Sequence, residues 1–470
     1  MKLSEIIKGT GASVLSGAPE CEITSITCDS RKVTGGSAFI AVKGSAVDGH
    51  DFIDSAKEAG AAAIIDADRR ALALCADNFY GHPSGQLKLV GITGTNGKTT
   101  TVTLLYNMFR NLGYECGLLS TIANYIGSRM EETANTTSDP ITTNALMRRM
   151  VDEGCGYCFM EVSSIGMEQD RVTGLEFSEA IFSNLTHDHL DYHKTFAEYL
   201  RCKKLFFDRL PSSAVAITNT DDRNGMVMTQ NTAARVVTYS CQGPADHSCR
   251  IIEEGFEGML LKIDGTEVWT RLIGRHNAYN ILAVYCAAVE LGCPSDEALL
   301  AISRLESARG RLENINGPRG LSIIIDYAHT PDALENVLKT LREVAPGRQL
   351  VCLFGCGGDR DRTKRPEMAA VAEKFSDRIF VTSDNSRTED TGDIMDDIRK
   401  GFTPEGLART IMIEDRKEAI RTAIITSPDN STILLAGKGH ETYQIIGTEK
   451  RHFDEREIVK EICCTTCFNG

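Results

Sequence analysis

The chain has 470 residues, too many for one ordinary core, so two to four domains are expected. Hydrophobic residues at 42% and charged residues at 25% describe a globular protein. No stretch approaches the roughly 18 apolar residues of a membrane helix, and the N-terminus MKLSEIIKGTGASVLSG lacks the basic region and long apolar core of a signal peptide. A net charge of −14 without any Lys/Arg run argues against nucleic acid as a partner.

Most of the sixteen cysteines sit inside apolar runs, as Cys158 does in CFMEV and Cys352 in LVCLF, which suits a reduced, cytoplasmic protein better than a disulfide scaffold. Two CxxC pairs, Cys155/Cys158 and Cys464/Cys467, lack a second His or Cys pair at finger spacing. They read as buried small residues and a loose C-terminal tail.

In chain order, residues 1 to about 88 alternate short strands (ITSITCDSRKV, SAFIAV, AAAIID) with helices such as FIDSAKEAG, which is stopped by Gly60. GHPSGQ reads as a linker. The strand LKLVGIT then runs through a glycine-rich turn into a helix with Val102, Leu105, Met108, Phe109 and Leu112 on one side, ending at Gly113. CFMEVS and AIFSNL are further strands, and such continuous apolar runs between helices imply a parallel sheet covered on both faces. From about Asn314 the pattern restarts with LSIIIDY, QLVCLFG, RIFVTSD and TILLAGK, each ending in the kind of polar loop that binds ligands in open parallel sheets.

Three features carry chemistry. Gly94-Thr95-Asn96-Gly97-Lys98-Thr99-Thr100 lies between a strand and a helix, where backbone amides can close on phosphate oxygens, Lys98 can reach the outer phosphates and the Thr99 hydroxyl suits Mg²⁺. It departs from GxxxxGK[ST], since position 92 is Ile.

The second feature is the segment from Thr195 to Leu210, which begins with a capping-box pattern, Thr195 and Glu198. Its apolar stripe of Phe196, Tyr199, Leu200, Phe206, Phe207 and Leu210 includes Lys203 but not Lys204. Helical spacing alone favours a Lys203 that snorkels to the surface; the other reading is a lysine used chemically, as a carbamate able to bind Mg²⁺. The third is NLTHDHLDYH, residues 184–193, which nearly matches the binuclear HxHxDH pattern but has Tyr192 where the last His belongs. A single Mg²⁺ held beside phosphate is the more economical use of one of these histidines, and most of the cluster reads as a polar loop capping a helix.

TGTNGKTT, MEVSS, NLTHDHLDYH, the Lys203 helix, GRLE, DYAHTPD and GKGHE stand in the order found in the Mur ligases, and the chain resembles that family over essentially its whole length. CDSRKV, GCGGDRD and DNSR carry a narrower resemblance, to the UDP-N-acetylmuramoyl-tripeptide synthetases. The resemblance implies an α/β, three-domain architecture: a UDP-sugar domain at 1–88, a central ATPase with a P-loop sheet at 89–313 and a Rossmann-like amino-acid domain at 314–470.

It further implies ATP-dependent addition of meso-diaminopimelate to UDP-N-acetylmuramoyl-L-alanyl-D-glutamate by a cytoplasmic monomer. Ser30, Thr136, Thr137, Ser163, Gln169 and Arg171 would hold the muramyl substrate, and Thr99, Glu161, His189 and carbamylated Lys203 would hold Mg²⁺. Asn277 and Asn280 would border adenine, while Arg311 and Asp326 would reach the nucleotide from across the domain boundary. Arg360, Asp384, Asn385, Arg387, Gly437 and Glu441 would take the amino acid. The family's diaminopimelate-associated DNPR segment is Asp384-Asn385-Ser386-Arg387 here, keeping the arginine and losing the proline. Ile165 and Thr363 are two further departures. A lysine-adding synthetase is the nearest alternative; a folylpolyglutamate synthetase would leave residues 1–88 without a use, and a nucleotide-regulated binding protein would not need Lys98, Glu161, His189 and Lys203 together.

Overall fold

A computed structural model describes residues 1–44, 47–133, 135–186 and 190–467. The chain forms two compact units. The first comprises 1–250, 263–266 and 278–302, and the second 251–262, 267–277 and 303–470.

The first unit contains two sheets. The N-terminal one orders its strands as Ser13–Ser16, Ala63–Asp66, Ser37–Ala41 and Ser25–Thr27, parallel except for the first pair. The expected strand over ITSITCDSRKV stops at Thr27. Asp29 then accepts from the Arg31 amide at 3.1 Å and starts a 3₁₀ turn, Ser30–Lys32, because an Asx side chain competes with the ladder for its own backbone. GHPSGQ is more than a linker: Pro83–Gln86 is a 3₁₀ turn in which Pro83 and Ser84 are buried.

The central sheet sets six parallel strands side by side: Arg235–Ser240, Val215–Asn219, Glu179–Phe182, Lys88–Thr93, Tyr157–Glu161 and Cys116–Leu119. Register places Thr93 beside Phe182 and Ile92 beside Glu161, so the segments that follow these strands leave from one edge. The helix Lys98–Asn111 buries Val102, Leu105, Met108 and Phe109 as its periodicity predicts, and ends before Gly113, whose φ of +91° suits the left-handed position after a helix. Cys155 and Cys158 are buried. Cys464 is exposed, and the side chain of Cys467 lies outside the described residues.

The second unit's sheet runs Glu313–Asn316, Ser322–Asp326, Thr432–Ala436, Leu350–Phe354, Arg378–Val381 and Thr410–Met412, all parallel after an antiparallel first pair. Alternation explains its continuous apolar strands. Ile324, Cys352, Phe354, Ile379 and Leu434 pack on one face with Leu334, Leu338, Met368 and Ile398. Their neighbours Ile323, Val351, Leu353, Phe380 and Ile433 pack on the other with Ile420, Ile424 and Val459.

At the carboxyl edge of this sheet Arg416 is buried. It donates to Glu455 Oε1 at 2.8 Å, to Ser383 O at 3.1 Å and to Ala436 O at 2.8 Å, tying two strand ends to the helix Glu455–Cys467. Arg416→Met is expected to cost about 3–5 kcal/mol by leaving Glu455 buried without its cation, whereas Arg416→Met/Glu455→Met recovers much of the loss. Urea unfolding of both variants checks this; a double mutant less stable than either single would refute it.

Candidate active site

The phosphate loop is shaped by what presses on it. Gly94 has φ of +154°, and a Cβ there would lie 1.9 Å from Ser183 Oγ; Gly97 has φ of +88°, and a Cβ there would lie 2.4 Å from Asn280 Oδ1. Only glycine fits both positions. Asn184 holds the loop from the neighbouring strand's end: its carbonyl accepts from Thr95 N at 2.8 Å and its side chain from Asn96 N at 2.9 Å. Ser183 Oγ donates to Asn96 O at 2.7 Å, and Thr186 N donates to Thr95 Oγ1 at 3.0 Å.

Lys98 folds back over the loop, donating to Gly94 O at 2.9 Å and Thr95 O at 2.8 Å. The helix it opens has Gly97 as N-cap and no side-chain cap, with Thr99 and Thr100 buried on its first turn. Such a terminus suits an anion. These residues therefore fit a polyphosphate, and the Thr99 hydroxyl suits an accompanying hard cation.

Lys203 is 1% exposed and does not snorkel. It lies on the helix Phe196–Asp208, where Thr195 accepts from Glu198 N at 3.2 Å, and its ammonium donates to Gly94 O at 2.7 Å and lies 4.8 Å from the Tyr199 ring. Tyr199 Oη is itself 3.1 Å from Thr95 Oγ1. Lys98 and Lys203 thus converge on one carbonyl of the phosphate loop.

Glu161 ends its strand, 1% exposed. Thr121 N donates to its Oε1 at 2.8 Å, and the Thr121 hydroxyl lies 3.1 Å from Oε2 and 3.0 Å from Thr136 Oγ1. Thr137 Oγ1 donates to Glu161 O at 3.0 Å and accepts from Ser163 N at 3.0 Å. Arg171 donates to Thr137 O at 2.6 Å and to Gln169 Oε1 at 2.8 Å. The structure thus gathers Thr136, Thr137, Ser163, Gln169 and Arg171 around the Glu161 strand end. It adds Thr121 and, 2.9 Å from Gln169 Nε2, the Tyr192 hydroxyl; the sequence offers neither as a substrate-binding residue. Ser30 lies apart from this set along the chain, in the N-terminal 3₁₀ turn. Asn280 Oδ1 is 3.5 Å from Thr101 Oγ1. His187, Asp188 and His189 lie outside the described residues; His193 is buried with Nε2 2.9 Å from Ser164 Oγ.

In the second unit Asn277 Nδ2 donates to Ile273 O at 2.8 Å. Asp326 accepts the amides of Leu312 and Ala328, each at 2.8 Å, and burial pushes its carboxyl up against the pull of Arg311. The Arg311 guanidinium lies 5.0 Å from the Tyr327 ring. Asp384, Asn385, Gly437 and Glu441 meet around Lys438, which is fully buried and which the sequence reading overlooked. Lys438 Nζ lies 3.1 Å from both Asn385 Oδ1 and Glu441 Oε2 and 3.6 Å from Asp384 Oδ1, and Asn385 Nδ2 donates to Glu441 Oε2 at 2.9 Å.

Burial alone would raise Asp384, but Lys438 and Arg416 outweigh it and hold its carboxyl below the usual range. Gly437, at φ of +113°, leaves room that a Cβ would close against Asp384 Oδ2 at 2.7 Å. Arg387 also has a positive φ, +50°, and donates to Gly358 O at 2.7 Å; Arg360, on the turn containing Gly358, is exposed.

The sequence matches the Mur ligase middle domain over residues 92–288, the Mur ligase glutamate ligase domain over 310–439 and the Mur ligase family catalytic domain over 22–89. The chain belongs to the Mur ligase family. Relatives named UDP-N-acetylmuramoyl-L-alanyl-D-glutamate–2,6-diaminopimelate ligase include one from Phocaeicola vulgatus, 49% identical with 98% of this chain and 99% of that protein covered. Another, from Parabacteroides distasonis, is 50% identical with 99% of each covered. A solved structure of an enzyme with that name superposes with a TM-score of 0.72 at 29% identity, covering 99% of both chains. This Mur ligase also shares its fold, at 16% identity and a TM-score of 0.62 over 78% of the chain, with a folylpolyglutamate synthase from Thermotoga maritima. Among the described residues no helix is long and apolar enough to cross a membrane.

Proposed function

We propose that this Mur ligase joins meso-diaminopimelate to the D-glutamate carboxylate of UDP-N-acetylmuramoyl-L-alanyl-D-glutamate, in peptidoglycan synthesis, as a cytoplasmic monomer. The observation that carries the reading is the presence in one chain of two devices, an uncapped glycine-rich helix start crossed by Lys98 in the first unit and, in the second, a sheet edge where buried Lys438 gathers Asp384, Asn385 and Glu441 near an arginine-bearing loop. The first suits a nucleotide polyphosphate and the second a zwitterion. Residues 1–88, 89–313 and 314–470 serve, on this reading, the UDP-sugar, ATP and the amino acid respectively.

A carboxylate is a poor acceptor for an amine. Transfer of the γ-phosphoryl group of ATP makes an acyl phosphate and ADP; the amine nitrogen then attacks the acyl carbon, loses a proton, and phosphate leaves. Lys98 offsets charge on the transferring group. Thr99, Glu161, His189 and a carbamylated Lys203 would hold Mg²⁺, which supplies Lewis-acid stabilisation of phosphoryl oxygens. Ser30, Thr136, Thr137, Ser163, Gln169 and Arg171 orient the muramyl peptide, and Asn277, Asn280, Arg311 and Asp326 the nucleotide. Much of the rate then comes from alignment of bound reactants.

Incubation with the UDP-muramyl dipeptide, ATP, Mg²⁺ and either meso-diaminopimelate or lysine, followed by mass analysis, tests the assignment; product with lysine alone would overturn it. Arg387 is the expected discriminator. The carboxylate that diaminopimelate carries and lysine lacks needs a charged partner, and a guanidinium can offer it two parallel hydrogen bonds. Arg387→Ala is expected to lose about 2–5 kcal/mol toward diaminopimelate, roughly 30- to several-thousand-fold in kcat/KM, while sparing any lysine activity. An unchanged ratio of the two kcat/KM values in this variant would refute the role of Arg387.

A further inference from the structure

Close to the amino-acid side of the second unit lies a buried cation that the mechanism above does not use. Arg365, in the first turn of the helix Lys364–Phe375, is fully buried. Its Nη1 donates to Glu389 Oε2 at 3.1 Å and to Asp397 Oδ2 at 2.9 Å, and its Nη2 donates to Glu389 Oε1 at 2.9 Å. A buried guanidinium held by two carboxylates is a costly arrangement that apolar residues of similar size could replace, so it invites a specific use.

Glu389 ties that cation to two loop segments. Its Oε1 also accepts from Asp359 N at 2.6 Å, and its Oε2 accepts from Arg362 at 2.6 Å. Asp359 in turn accepts from Thr388 Oγ1 at 2.7 Å and Thr388 N at 3.2 Å. Gly358 N donates to Asn385 O at 2.9 Å, and Arg387 Nη1 donates back to Gly358 O at 2.7 Å. A Cβ on Gly358 would lie 1.9 Å from Ser386 O, which measures how closely the two segments run. One segment carries Arg360 and the other Arg387. Glu389 joins them, and Arg365 holds Glu389 in place with its carboxyl pulled down to about 2.

We propose that Arg365 is a positioning residue for amino-acid selection: through Glu389 it fixes the spacing of Arg360 and Arg387, and so decides whether both can meet the extra carboxylate of a diamino dicarboxylic acid. This rests on the diaminopimelate reading above. A lysine at 365 keeps the charge but cannot fork to both oxygens of Glu389 while reaching Asp397. The two segments would then loosen by tenths of an ångström to about an ångström, a displacement that costs on the order of 10²-fold where bound groups must align.

The test compares full-length wild type with Arg365→Lys and Glu389→Gln. It measures KM for diaminopimelate, ATP and the UDP-muramyl dipeptide, the diaminopimelate-to-lysine ratio of kcat/KM, and the melting temperature. Arg365→Lys is expected to raise the diaminopimelate KM by roughly 10- to 100-fold and lower the ratio to match, with the other two KM values unchanged. Glu389→Gln, nearly isosteric, shifts the same two quantities in the same direction and carries the test should Arg365→Lys fail to fold. An unchanged diaminopimelate KM in the folded variants overturns the proposal. So does a uniform rise in all three KM values together with a lower melting temperature, the mark of a merely structural role. A wild type that prefers lysine overturns both this proposal and the reading beneath it, and is seen before any variant is made.

Discussion

Lys98→Ala is expected to abolish ATP turnover while leaving the fold intact. The side chain crosses the phosphate loop and rests on the carbonyls of Gly94 and Thr95, so its charge stands where phosphoryl oxygens would arrive once amides of the loop and first helical turn have bound them. Developing charge on a transferring phosphoryl group is best stabilised by a donor already aimed at it, and removal of one such donor costs about 3–4 kcal/mol, or 10²–10³-fold. Little stability should go with it. The loop keeps its shape through Ser183, Asn184 and Thr186, and glycines satisfy the strained backbone positions. Single-turnover ADP release, read beside circular dichroism, separates the two effects. Near-normal ADP release from a folded Lys98→Ala protein would remove the lysine from the mechanism.

That loop was legible because its chemistry is local: glycines, a lysine and three threonines within seven residues, between an apolar strand and a periodic helix. The parallel sheets were legible for a related reason, since runs such as Ile323–Ile325 and LVCLF can be apolar throughout only where both faces are covered. What escaped was set by partners distant in sequence. Lys203 and Lys204 are adjacent, and spacing puts only the first on the apolar stripe. Spacing still favours a lysine that reaches water, and what overrules it is the Gly94 carbonyl 109 residues away.

Arg365 and Arg416 sit in the charged stretches TKRPE and EDRKE, where nothing local marks them as buried, yet both are buried because acids at 389, 397 and 455 reach them. Lys438 was passed over inside a motif noted only for its glycine and glutamate. CDSRKV reads as continuing the alternating strand ITSIT, and Asp29 turns it by capturing an amide two residues on. The family assignment was legible because its motifs survive as short local strings, even where Ser386, Ile165 and Thr363 depart from the usual pattern.

Lys203→Ala is expected to remove ligase activity, and short carboxylic acids to restore part of it. An ammonium held away from water is unfavourable unless it is well paired or neutralised. Lys203 is buried against the Tyr199 ring and a peptide carbonyl, beside a loop already served by the cation of Lys98. Both lysines donate to the Gly94 carbonyl, beside a loop that suits a polyphosphate with its hard metal ion, which takes oxygen ligands. On the reading proposed above, addition of CO₂ to the neutral amine, with loss of one proton, would turn Lys203 into a carbamate. The residue would then offer carboxylate oxygens to a hard cation. Alanine removes the carrier and leaves a gap lined by Thr95, Tyr199 and the loop, into which acetate or propionate can place a carboxylate at the same depth. Two readouts make the prediction independent of activity. Native mass spectrometry of wild type in bicarbonate should show the mass of one CO₂, absent from Lys203→Ala, and exchange with labelled bicarbonate should give a carbamate carbon resonance that the variant lacks. An active, magnesium-loaded wild type with an unmodified Lys203, or a variant that carboxylic acids do not rescue at any concentration, would leave the lysine as a structural cation bracing Gly94 and nothing more.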